Sequence, residues 1–120
     1  MATFTVESSD EDGLAATYNS AASGGDQFAN DGRIVLHIKN TNASARTVTV
    51  TAQNTSVPKR GFGNLTKSNA SVSVPATTGE RFLGPFPVDA FNDASGNCQI
   101  TYTAETGVTV AVIKINDSIG

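Results

Sequence analysis

The sequence predicts an all-β fold: one antiparallel β-sandwich domain, jelly-roll-like. Three observations predict it. Apolar residues alternate with a period of two wherever a pattern can be read, and no window shows the 3.6-residue period of a helix. Clusters of Gly, Pro, Asn and Asp interrupt the pattern at about the 8–12-residue spacing of sandwich strands. Charged residues make up only 16% of the 120-residue chain, while hydrophobic residues make up 38%. That charge lies below the roughly 25% of an average globular domain, and Thr, Ser, Asn and Gly fill the gap. Abundant β-branched residues and a small net charge exclude a disordered chain. A chain of this length buries a core without disulfide or metal support.

The acidic run Ser8 to Gly13 marks residues 1–13 as a solvated arm ahead of a sandwich domain over 14–120. Leu14 to Ala22 is extended, because Asn19, Ser20 and then Gly24-Gly25 argue against a helix. Ile34, Leu36 and Ile38 alternate with Val35, His37 and Lys39, and Val48 and Val50 alternate with Thr47, Thr49 and Thr51. The turn chemistry of Asn40 to Ser44 between them predicts a hairpin. Ala70 to Val74 alternates again, and Pro75 ends that strand or marks it as an edge. Gly79 to Leu83 is the next short strand, broken by Gly84-Pro85-Phe86-Pro87. Cys98, Ile100 and Tyr102 then alternate with Gln99, Thr101 and Thr103. Val108 to Ile115 is apolar on nearly both faces, which predicts a central strand. The short link Glu105-Thr106-Gly107 predicts a second hairpin. Asn54 to Asn69 is a long polar loop carrying Lys59-Arg60 beside Gly61-Phe62-Gly63, and loops of that length are usually functional or mobile.

The residues for catalysis are missing from the pattern. His37 is the single histidine and sits mid-strand, without the positioned partner that a general base needs. Cys98 is the single cysteine; it begins a strand with no cation or histidine nearby to make it a thiolate. Asp10-Glu11-Asp12-Gly13 fails as a calcium loop, because the position six after the glycine is Asn19 and flanking helices are absent. Gly61-Phe62-Gly63-Asn64 lacks the third glycine and the strand-to-helix setting of a dinucleotide motif. The expectation is a non-enzyme with no cofactor and no metal. With a net charge of −3 and only 8 Lys and Arg, nucleic acid is not an expected partner. No run approaches the roughly 20 apolar residues of a membrane span. Met1-Ala2-Thr3-Phe4 lacks the basic-then-apolar pattern of a secretory leader, so synthesis in a cytoplasm is expected.

Two blocks carry a resemblance. The first is Gly25-Asp26-Gln27-Phe28-Ala29-Asn30-Asp31-Gly32-Arg33, running into Ile34 to Asn40. The second is Leu83-Gly84-Pro85-Phe86-Pro87, then Phe91-Asn92-Asp93, the turn at Gly96, Ile100-Thr101-Tyr102 and Val108 to Val112. Together they resemble small β-rich proteins encoded beside the major capsid gene of tailed bacteriophages and prophages, which look like capsid decoration, or cement, proteins. The resemblance implies a structural protein on the phage head that braces assembled capsid subunits. Its implied partners are the major capsid protein and further copies of itself, as a homotrimer. Tail or head–tail joining proteins, or a carbohydrate-binding host-attachment module, are the alternatives. The expected partner contacts are Glu7, Asp10, Glu11 and Asp12 in the acidic arm, Lys59, Arg60 and Phe62 in the long loop, and Phe86 and Phe91 beside the prolines. The charges stand out in a chain that otherwise avoids them, and aromatic residues are enriched at interfaces.

Overall fold

The computed structural model describes residues 1–115. It is nearly all β, with 49% strand and 3% helix. Twelve strands and one helical turn follow in order among the described residues: β1 (Thr3–Phe4), β2 (Glu7–Ser9), β3 (Asn19–Ser20), β4 (Asp26–Ala29), β5 (Ile34–Asn40), β6 (Arg46–Thr51), β7 (Ser56–Lys59), β8 (Gly63–Thr66), β9 (Ala70–Val74), β10 (Gly79–Leu83), α1 (Val88–Phe91), β11 (Asn97–Tyr102) and β12 (Val108–Ile115). One sheet has the order β1-β4-β11-β6-β9; a second has the order β10-β5-β12-β2, with β3 also on β12; β7 and β8 pair apart. Two short pairings, β1 with β4 and β2 with β12, are parallel. The expected antiparallel pattern holds for the other pairings.

The alternation reads through to burial. Along β5, Ile34, Leu36, Ile38 and Asn40 are buried while the residues between them are only half-buried. Strand β12 lies inside its sheet, between β5 and β2, with Val108, Val110, Ala111 and Val112 all buried. Residues of both large sheets share one buried cluster, which includes Phe28, Leu36, Val48, Val50, Val74, Ile100 and Val110.

Neither expected hairpin forms. Strand β5 pairs with β10 and β12, whereas β6 pairs with β9 and β11, so the Asn40–Ser44 turn crosses between sheets. Strands β11 and β12 are parted in the same way, across residues 103–107. Alternation fixes which face of a strand is buried, not which strand lies beside it. The buried Asn40 clamps the first crossing: its amide donates to the Ser44 and Pro75 carbonyls at 2.9 and 3.2 Å. The second crossing packs on the first, where Thr41 N–H donates to the Gly107 carbonyl at 2.9 Å.

The first residues do not form a solvated arm. Phe4 is buried in the core, β1 extends one sheet and β2 the other. Only Asp10 to Gly13 remains an exposed turn, closed by Gly13 N–H on the Asp10 carbonyl at 3.0 Å. Of the domain expected over 14–120, the last five residues lie outside the described ones.

The two resemblance blocks lock onto each other. The Asn30 amide donates to Asn92 Oδ1 at 2.6 Å and to the Phe86 carbonyl at 3.1 Å, and the Asn92 amide returns a bond to the Asn30 carbonyl at 2.8 Å. Gly25 sits at φ +95°, and a Cβ there would stand 2.4 Å from the Ile100 carbonyl oxygen, so no side chain fits. Beside it the buried Asp26 accepts from Ala2 N–H at 3.0 Å, Ala22 N–H at 3.0 Å and Tyr102 O–H at 2.8 Å. Three donors satisfy a carboxylate that burial would otherwise penalise heavily.

Candidate functional site

The stretch expected to be a structureless loop is a hairpin. Strands β7 and β8 pair from Ser56↔Thr66 to Lys59↔Gly63, around a turn in which Phe62 N–H bonds the Lys59 carbonyl at 3.0 Å. Gly61 and Gly63 supply the left-handed backbone that this turn needs. Turn glycines were visible in the sequence. Pro58 obscured the strand, because proline in a strand demotes it to an edge. The base is fastened: Gln53 and Asn54 N–H both bond the Ala90 carbonyl, and Ala52 N–H bonds Asn69 Oδ1 at 2.8 Å. Only Val57 is buried, while every residue of β8 is exposed.

This hairpin gathers an exposed aromatic ring and exposed cations. Phe62 at its tip is 81% exposed. Lys59, Arg60 and Lys67 are three of the eight Lys and Arg, and the sequence contains no acid between Asp31 and Glu80. Lys59 reaches Asp89 at 3.7 Å, and Lys67 stands over the Phe91 ring at 5.6 Å. Between the hairpin and α1 opens a groove of about 340 Å³, with Val57, Leu65, Pro87 and Val88 as apolar wall and Lys59 and Lys67 at its rim. Leu65 and Val88 are exposed there.

The other expected contacts divide. Asp10, Glu11 and Asp12 are exposed, as expected. Glu7 is not a free charge: its carboxylate accepts Thr17 N–H at 2.7 Å and Thr17 O–H at 3.1 Å, tying β2 to the segment before β3. Phe86 and Phe91 are each 1% exposed and lie in the buried core of the chain. Pro87 holds the chain extended just ahead of α1, which ends on Phe91, and the Phe86 and Phe91 rings pack edge-on at 5.5 Å, with Phe28 against Phe86 at 5.7 Å. Aromatic content alone does not separate a core ring from an interface ring.

His37 has the partners that the sequence does not reveal. Tyr18 O–H lies 2.6 Å from its Nδ1, Glu80 Oε1 lies 3.0 Å from its Nε2, and the Phe82 ring stacks on it at 4.2 Å. Tyr18 is distant in sequence, and Glu80 and Phe82 reach His37 only through the β10–β5 pairing. Both ring nitrogens are engaged in joining the edge strand β10 to the segment before β3. Among the described residues, no three His, Cys, Asp or Glu side chains gather to hold a metal. Among the described residues, no helix is long and apolar enough to cross a membrane.

Cys98 is buried, and burial pushes its thiol up to about 12. The folded chain therefore keeps the proton while the unfolded chain releases it near the ordinary 9.0. Stability is full below pH 9 and falls as the pH rises towards about 12. Tyr102, raised by burial and by its bond to Asp26, acts in the same direction. Denaturant midpoints that decline over that window, with no reaction of a thiol reagent until unfolding, are the expected results. Comparison of the chain with protein-family models, with curated proteins and with solved structures gave no match.

Proposed function

We propose that this chain is a structural virion protein: a jelly-roll-like β-sandwich that decorates a bacteriophage head and braces neighbouring subunits of the major capsid protein. The resemblance of the two sequence blocks supplies the class of protein. The observation that carries the contact is the β7–β8 hairpin, a fastened but almost wholly exposed element with Phe62 at its tip and Lys59, Arg60 and Lys67 around it. An aromatic anchor within a cationic rim suits an acidic, partly apolar surface formed where subunits meet. A cement protein works by mass action: it binds the assembled, expanded shell and so stabilises that state.

The test is binding of the purified protein to expanded heads that lack it. Binding is expected to saturate at symmetry-fixed sites. The variants Phe62→Ala and Lys59→Glu/Arg60→Glu are each expected to lower affinity about tenfold or more, the equivalent of about 1.4 kcal/mol. Unchanged affinity would remove the hairpin from the contact, and protein located only on tails would overturn the capsid reading.

Host attachment through carbohydrate is the second reading, favoured by one observation. Phe82 is 66% exposed, stacked on His37 and next but one to Glu80, an aromatic ledge beside a carboxylate. Glycan binding that Phe82→Ala abolishes and Phe62→Ala spares would select it.

A further inference from the structure

Unpaired sheet edges recruit other strands unless charge, proline or brevity protects them. The edges of the two large sheets are unequal in this respect. Strand β1 has two residues, β2 carries Glu7, and β10 carries Glu80 and Arg81. Strand β9, by contrast, reads Ala70-Ser71-Val72-Ser73-Val74 and lies in a stretch without charge from Ser68 to Gly79.

The backbone of β9 can be oriented from its neighbour. Thr103 N–H donates to the Thr47 carbonyl and Thr47 N–H to Thr103 Oγ1, both at 3.0 Å, so the backbone of Thr47 faces β11. Backbone groups alternate along an antiparallel strand, so Val48 and Val50 face β9 and bond their register partners Val72 and Ala70. The N–H and C=O groups of Ser71 and Ser73 therefore point outward. Both residues are exposed, and Val72 between them is half-buried.

We propose that β9 pairs antiparallel with β9 of a second copy, across a two-fold axis through Val72, so that two five-stranded sheets become one sheet of ten. In this register Ser71 exchanges both backbone hydrogen bonds with the partner's Ser73, and Ser73 does so with the partner's Ser71. All the outward groups of both serines are used. Val72 meets the partner's Val72 in the closer, non-hydrogen-bonded pair, which buries the half-covered valines on the inner face. A slip of one residue would set the outward backbone groups of each serine against a residue whose own groups face β6. A two-fold axis through Ser73 would pair Ser71 with Pro75, which has no N–H. An axis through Ser71 would pair Ser73 with Asn69, which lies outside β9 at the base of the hairpin. The contact is self-complementary, as a two-fold interface must be. It goes beyond the capsid reading, needs no capsid, and is two-fold where the resemblance implies three-fold.

Light scattering on the eluting full chain tests it. The expected mass is twice the chain's 12.4 kDa. The double variant Ser71→Lys/Ser73→Lys sets lysine against lysine across the axis, and its mass is expected to halve. Ser71→Lys/Ser73→Glu sets lysine against glutamate at the same positions and is expected to remain dimeric. Ser73→Pro removes one outward N–H without touching the ladder to β6, so a folded monomer is expected. In the unaltered protein, the amides of Ser71 and Ser73 should exchange slowly only at concentrations where the dimer forms. A wild-type monomer or trimer, or equal masses for the two charged variants, overturns the proposal. So does fast exchange of both serine amides in a dimer, because another surface must then hold it.

Discussion

Replacing Phe86 by alanine is expected to lower stability by about 3–5 kcal/mol, whereas the same change at Phe62 should alter it by about half a kcal/mol or less. Both are phenylalanines close to a turn, and the sequence marks both as candidate partner contacts. They differ in surroundings. Phe86 is 1% exposed and wedged between Phe28 and Phe91, while Phe62 is 81% exposed. Truncating Phe86 forfeits the transfer energy of the ring and leaves a cavity that fixed neighbours cannot fill. Two aromatic contacts are lost with it, each worth about 0.5–1.5 kcal/mol beyond area. Against a total of about 5–15 kcal/mol for a domain, that is a large share. Urea denaturation of both variants measures the difference, and equal losses would mean that the three-ring core has been misassigned.

Strands β5, β6 and β9 to β12 were legible in the sequence because each announces itself locally. A two-residue period survives in Ile34-Val35-Leu36-His37-Ile38 and in Cys98-Gln99-Ile100 whatever lies beside them. Their partners were not legible, because pairing is decided by residues far apart. The turn at Asn40 to Ser44 suits a hairpin and a crossing equally well until the Asn40 amide finds Pro75. The same distinction separates the parts of the candidate site. Lys59, Arg60 and Phe62 could be picked out by charge and ring alone, but the groove behind them needs α1, thirty residues onward, to supply its second wall. Tyr18, His37 and Glu80 carry no shared motif, and only the β10–β5 register brings the carboxylate to the imidazole. The N-terminal strands were hidden for another reason. Strands of two and three residues are too short to show a period, and the acids after them dominated the composition.

Deleting residues 2–12 is therefore expected to damage the fold itself. The deletion removes Phe4, which is 5% exposed in the core, and strips β1 from β4 and β2 from β12. It also takes away Ala2 N–H, one of the three donors that satisfy the buried Asp26. Loss of one buried phenylalanine alone costs about 3–5 kcal/mol. At about 4 °C per kcal/mol for a domain of this size, Tm should fall by about 12–20 °C or more. Neutralising the exposed turn instead, with Asp10→Ser, Glu11→Ser and Asp12→Ser together, leaves both strands in place and should move Tm by about 2 °C or less. Thermal melts of the two proteins give the comparison. A deletion variant that melts with the intact chain would show that β1 and β2 add nothing to the core. The contrast also decides how the acids can be tested as capsid contacts: lost binding in the deletion variant would report unfolding, whereas lost binding in the triple-serine variant reports the charges.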